Sequence, residues 1–345
     1  MSVFDRAFPT TRRRTLQVLG LLGLGGTGVA RSAGALAATA ADAEDAWPKM
    51  TYRKLGKTGF EGSRLVFGCG AALMFWSRDE LLELAFEHGV NVFDVGTSDY
   101  YRSAENNLAS FARKRRDDIF LISKGLVGMD VQPGQDLSAE DRRKAAANWS
   151  KALDQSLADL SLDHVDAYYI MAANNVSLIR SDEMYEAFLA AKKAGKVDHW
   201  GVSTHQNAAG VLDAAAGSGR YALAQIAITP AGWYDWSSKG VLSDTKSMVE
   251  LAPVLDRARA AGVGLIGMKA ARYLSGAWMG FGPDRPAAFD KHYPKALREA
   301  SLSAFQRSYA YVLAHGLDAV NADSQSVEHL QENFVAAATS SRYFT

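Results

Sequence analysis

SRDELLELAFEHGVNVFD, residues 77–94, decides the fold. Its first part sets Leu81, Leu82, Leu84, Ala85 and Phe86 along one helical stripe and stops at Gly89. Its last part, VNVFD (90–94), is a short apolar run of strand type. The same alternation continues on both sides. Further strand candidates are RLVFG (64–68), IFLISK (119–124), VDAYYIM (165–171), HWGVS (199–203), ALAQIAI (222–228), VGLIGMK (263–269) and LDAVNA (317–322), which makes eight in all. Helical patterns lie between them: AENNLASFARK (104–114), RRKAAANWSKALDQSLADL (142–160), SDEMYEAFLAAKKAGK (181–196) and MVELAPVLDRARAAG (248–262). Ser181 and Ser326 stand where N-caps or first turns begin. Eight strands alternating with helices predict an α/β protein with a parallel sheet, and the count favours a closed (β/α)8 TIM barrel over an open doubly wound sheet. No GxGxxG follows the first strand, which weakens the open-sheet alternative further.

Ahead of the first strand, TYRKLGKTGFEGSRL (51–65) has two half-apolar runs around Gly56-Lys57-Thr58-Gly59, predicting an N-terminal β-hairpin. Two connections exceed ordinary lengths, residues 229–246 and 271–295. Both follow strands, so in a barrel both lie over the C-terminal face, where such folds keep their sites. Their Trp233, Tyr234, Trp236, Trp278, Phe281 and Tyr293 are placed either to roof a pocket or to pack the loops on the rim.

With 345 residues and 48 % hydrophobic content, the chain can bury a large core. Its 38 basic and 38 acidic residues balance, and no basic run follows the N-terminus, so nucleic acid and acidic membrane surfaces are poor partners. Residues 1–43 are different material. Paired Arg12-Arg13 precede the apolar, glycine-rich LGLLGLGGTGVA (19–30) and a small-residue stretch with A-x-A sites at Ala35-Leu36-Ala37 and Ala38-Thr39-Ala40. This is the pattern of a signal peptide, and it resembles a twin-arginine signal, with Thr15 where a phenylalanine is usual. The run is too short for a stable membrane anchor. A twin-arginine export machinery is thereby expected as a partner and a periplasmic or secreted destination as the outcome, with residues 44–345 as the barrel domain. Cys69 is the only cysteine, so neither an internal disulfide nor a cysteine-ligated iron–sulfur cluster can form.

The chemistry gathers at the ends of the second and third barrel strands. VFDVGTSDYYRSAE (92–105) and IFLISKG (119–125) bring an aspartate, a tyrosine pair and a lysine to one face. A tyrosine is a weak acid at neutral pH, and an ammonium nearby is expected to lower its pKa by favouring the phenolate. An aspartate beside the lysine fixes that charge in place. Such a phenol can deliver a proton to a carbonyl oxygen while hydride reaches the carbon.

With these motifs in order, the chain resembles the aldo-keto reductases over nearly all of residues 44–345. The resemblance runs from YRKLGKTGF through EHGVNVFD, Tyr101 with Glu105 four residues on, FLISK, SLADLSLDHVDAYYI, AAKKAGKVDHWGVS and GLIGMKA (264–270) to SVEHLQENF (326–334). It implies an oxidoreductase that uses NAD or NADP on a small-molecule carbonyl or alcohol, with Asp94, Lys124 and the proton-donating Tyr101 as its catalytic residues. Tyr101 is preferred to Tyr100 because it keeps the family's distance to Glu105. The resemblance further implies cofactor-binding positions at Ser203, Thr204, Gln225, Lys269, Ser324, Glu332 and Asn333. No metal site is implied.

Three departures matter. Met171 ends the fourth strand where the family has a histidine that orients the substrate carbonyl, and a thioether can neither donate a hydrogen bond nor titrate. Asp323 stands where the family has a basic residue or glycine, and His329 where it often has an arginine. A carboxylate there repels a 2′-phosphate and tilts the expectation toward NAD. His205 and Asn174 are the candidates to fill the gap at Met171. Because the histidine is absent, a barrel kept as a periplasmic binding protein, or redirected to isomerase or lyase chemistry, stands as the alternative.

Overall fold

The computed structural model describes residues 47–129, 131–275 and 283–344. The signal assigned to residues 1–43, and Trp278 and Phe281, lie outside the described residues.

Eight parallel strands close on themselves. They are β3 (Leu65–Gly68), β4 (Val92–Asp94), β5 (Phe120–Leu126), β6 (Val165–Met171), β7 (Val197–Thr204), β8 (Leu223–Thr229), β11 (Gly264–Met268) and β12 (Ala319–Asp323), paired in that order with β12 returning to β3. This is the (β/α)8 barrel that the alternation predicts, helices following its strands. The helix read from residues 77–89 spans Asp79–Glu87 and buries Leu81, Leu82 and Ala85. Ser181 and Ser326 both cap their helices through the side chain. Before the barrel, β1 (Tyr52–Lys54) and β2 (Glu61–Ser63) pair antiparallel around a short 3-10 turn, the expected hairpin.

Strand residues alternate between two cores, as a period of two requires. Val66, Val92, Phe120, Ile122, Ala167, Tyr169, Leu223, Ile266 and Ala319 fill the barrel interior together with Leu55 from the hairpin. Phe67, Phe93, Leu121, Tyr168, Ile170, Val202, Ile226, Leu265 and Val320 belong to the larger cluster between sheet and helices. Burying a side chain of this kind contributes roughly 1.5–3 kcal/mol relative to exposure, so both faces of the sheet are fixed by transfer from water.

Two features depart from the sequence reading. The segment 229–246 is not only loop: β9 (Gly232–Asp235) turns back antiparallel on β8, and β10 (Gly240–Val241) pairs with β9. The turn is built by Thr229, whose hydroxyl donates to Gly232 O and accepts from Ala231 N. Helices at Ala208–Ser218 and Ala304–Ala314 were not among the expected ones. The first is almost wholly small and apolar, so it shows little of the stripe that marks an amphipathic helix.

Candidate active site

Strand parity builds the site. On each strand the interior residues set the phase, and counting up by two from Val92, Ile122, Tyr169 and Leu223 reaches Asp94, Lys124, Met171 and Gln225 at the C-terminal mouth. Lys124 and Asp94 are 3 % and 4 % exposed. The Lys124 ammonium donates to both Asp94 oxygens at 2.6 Å and to Val95 O at 2.6 Å. Asp94 Oδ2 also accepts from Gln225 Nε2 at 3.2 Å and from the side-chain amide of Asn321 on β12. A buried ion pair is stable only when its remaining groups are satisfied, and here the two neutral amides complete the carboxylate.

Tyr101 closes a short helix, Ser98–Tyr101, just beyond β4. Its ring lies against two glycines: a Cβ on Gly70 would come within 2.6 Å of it, and one on Gly96 within 3.0 Å. Lys124 Nζ lies 5.9 Å from the ring centroid. Tyr100 packs edge-on against Tyr101, with centroids 4.7 Å apart. Burial pushes the Tyr101 hydroxyl well above the ordinary tyrosine value, reinforced by Tyr100, Asp94 and Asp323. The expectation that the ammonium lowers it is therefore corrected. All three Lys124 protons are committed to Asp94 and Val95, and desolvation of the phenolate wins. The phenol keeps its proton at neutral pH, the state a proton donor requires.

Behind Lys124 lies a second polar layer. Ser123 points outward and donates to Glu105 Oε1 at 2.6 Å, and Ser156 and Tyr168 continue the chain at 3.0 Å. Glu105 is fully buried, and desolvation raises its carboxyl to about 7.

Met171 is 5 % exposed and points to the mouth by the same parity. Neither candidate replaces the family histidine with an observed bond to the pair below. Asn174 turns away to Gln206 at 3.4 Å. His205 packs on Trp236, centroids 5.5 Å apart, and its pKa falls to about 3 through burial and the positive charges of Lys269, Lys124 and Lys239. It is a neutral imidazole.

The cofactor positions divide. Ser203 faces inward beside β8 and is buried, whereas Thr204 points the other way and its hydroxyl is spent on Gln206 N and O. Lys269 lies at the end of β11 with a left-handed φ of 64°. Ser324 accepts from Asn333 Nδ2 at 3.1 Å next to the Ser326 cap, and the Glu332 carbonyl accepts from Gln306. Asp323 faces the mouth, where Lys269 and Arg78 act on it while burial raises its carboxyl. Sequence reasoning missed Asn321, a lone amide in a mostly apolar run, and the Trp236–Lys239 turn.

The aldo/keto reductase family model matches residues 70–341. The chain belongs to the aldo/keto reductase family. This family member is 28 % identical over 169 residues to L-glyceraldehyde 3-phosphate reductase of Escherichia coli K12, a match that covers 46 % of each chain, so it spans about half the length of that curated relative. Among solved structures it resembles an aldo-keto reductase from Klebsiella pneumoniae in complex with NADPH (19 % identity, TM-score 0.58, 84 % of this chain and 89 % of that one). It also resembles the holo form of one from Bacillus halodurans (21 % identity, TM-score 0.58, 83 % and 90 %). These likenesses show the barrel. In this aldo/keto reductase a nicotinamide dinucleotide meets one fitting feature: Gln225 Oε1 is buried beside Asp94 with no hydrogen-bond partner, an acceptor suited to a carboxamide N–H.

Proposed function

We propose that the protein reduces a small carbonyl compound, or oxidises the corresponding alcohol, with NAD or NADP as hydride carrier. The observation that carries this reading is the buried Lys124–Asp94 pair beneath the Tyr101 ring, three residues from three separate elements meeting at the barrel mouth. The bound dinucleotide supplies or accepts hydride. Tyr101 holds the proton destined for the carbonyl oxygen, and its high pKa keeps that proton in place until negative charge develops there. Lys124 supplies a fixed positive field close to the phenol, held by Asp94 so that it does not reorganise during the reaction. Ser203 and Gln225 are assigned to the carboxamide, and Ser324, Glu332 and Asn333 to the phosphate and adenine end.

The test is binding and turnover together. Fluorescence titration with NADH and NADPH should give saturable binding, and Tyr101→Phe should remove nearly all aldehyde reduction while dinucleotide affinity stays the same. Folded protein that binds neither dinucleotide would exclude the reading.

A second reading is favoured by Met171: without an oriented donor above the pair, the barrel binds a small molecule without turnover or performs a proton transfer without net hydride transfer. Dinucleotide binding with no turnover on any aldehyde supports it. We propose a periplasmic or secreted destination on Arg12-Arg13 and the small-residue stretch behind them. Lysines at both arginines should leave unprocessed protein in the cytoplasm, and unaltered export of that variant would refute the twin-arginine route.

A further inference from the structure

Opposite Tyr101, the wall of the mouth is cationic. Trp236 follows β9 and stands half-buried against two ammonium groups, Lys239 Nζ at 3.3 Å and Lys269 Nζ at 4.8 Å from its ring centroid. His205, beyond β7, packs on the same indole. The two lysines come from different elements: Lys239 from the β9–β10 turn, Lys269 from the end of β11. Both adopt a left-handed backbone, with φ of 56° and 64°, a conformation that non-glycine residues hold only where the surroundings impose it. The turn that presents Lys239 is pinned by Asp235, whose two oxygens accept from Ser237 N and Ser238 N at 3.1 and 2.9 Å. Gathering these charges has a visible cost. Burial brings both lysines down to about 8, helped by repulsion from Lys269 and Arg272 at Lys239 and from Arg272 and Lys124 at Lys269, with Asp235 opposing the first shift and Asp323 and Asp94 the second.

Ammonium groups from separate elements, gathered on one indole and partly withdrawn from water, form a receptor for an anion. We propose that Lys239 and Lys269, both against Trp236, bind the phosphate or carboxylate carried by the carbonyl substrate at the end away from Tyr101. This rests on the carbonyl-reduction reading and adds its substrate class. Lys124 acts on both His205 and Lys269, which places the cationic wall within electrostatic reach of the pair under Tyr101. The competing occupant is the dinucleotide's own phosphate groups. Lys239 distinguishes the two, because it lies on the β9–β10 turn beside His205, whereas Ser324 and Asn333 mark the phosphate end at β12.

The experiment compares matched pairs: glyceraldehyde 3-phosphate against glyceraldehyde, and succinic semialdehyde against butyraldehyde, in wild type and in Lys239→Met and Lys239→Glu, with NADPH affinity measured separately. The wild type should prefer the charged member, and the ratio of kcat/KM should fall by about tenfold or more in each variant, the scale of one charge-assisted contact. The phosphate and carboxylate pairs show which anion is taken. No preference in the wild type overturns the proposal. So does a loss of NADPH affinity with the ratio unchanged, which would give Lys239 to the cofactor. Titration with glycerol 3-phosphate against glycerol, with and without NADPH, reads the same preference without turnover. A preference there in protein that reduces nothing supports the anion site and removes only the carbonyl-reduction reading.

Discussion

Asn321 donates its side-chain amide to Asp94 Oδ2, the oxygen already held by Lys124 and Gln225. Asp94 thus sits at the centre of four strands' contributions. Asn321→Leu leaves that buried oxygen one donor short, a loss of roughly 1.5–3 kcal/mol for a hydrogen bond to a charged group. Urea unfolding should show a lower midpoint at an unchanged slope. A midpoint equal to wild type would show that Asp94 does not depend on the amide.

Gly70 faces the Tyr101 ring so closely that a methyl group there would stand 2.6 Å from it. Gly70→Ala should leave the barrel folded and displace the ring. A shift of this kind lowers kcat on the order of 10- to 100-fold with little change in dinucleotide affinity. Steady-state kinetics beside a dinucleotide titration check this, and an unaltered kcat would show that the ring position is not critical.

Under the proposed carbonyl reduction, Met171 would leave the developing alkoxide without one oriented donor, an omission typically costing ~2.7–4 kcal/mol in comparable sites. Met171→His should raise turnover on a generic aldehyde without altering dinucleotide binding. Because the side chain is buried, circular dichroism must confirm that the variant is folded. No gain in folded, dinucleotide-binding protein would favour the binding or proton-transfer reading.

Glu105 ties stability to pH. Its carboxyl stands near 7 in the folded chain against about 4.3 when unfolded. Between those values the unfolded state has lost the proton that the folded state keeps, so stability falls as pH rises from about 4.3 to 7 and then levels off. The span is roughly 4 kcal/mol. Glu105→Gln, which carries no titrating proton, should flatten that part of the stability curve in denaturant titrations at successive pH values. An unchanged curve would place its origin elsewhere.

Asp323 projects a carboxylate into the mouth beside Lys269 and Arg78. The wild type is expected to bind NADH at least as well as NADPH, and Asp323→Lys should move the preference toward NADPH. Strong wild-type preference for NADPH would mean that this carboxylate faces away from the 2′-phosphate.

The barrel was legible because each strand is a short apolar run bounded by a helical stripe, and the Asp94–Lys124 pair because both residues end such runs in phase. The β9–β10 hairpin was not: its strands are short and its turn rests on a Thr229 hydroxyl, a contact with no periodic signature. Asn321 was hidden for a similar reason, since a lone amide in LDAVNA discloses no partner until β12 is set two strands from β4. The direction of the Tyr101 shift was misjudged because proximity of a lysine in sequence order does not reveal that Val95 O and Asp94 take all three of its protons.

Leu55, carried on the turn between β1 and β2, is fully buried among Val66, Val92, Phe120 and Leu223 at the end of the barrel opposite Tyr101. The vessel is therefore corked at its base. Among the described residues, the approach to the Lys124–Asp94 pair lies at the opposite rim, where Tyr101 stands.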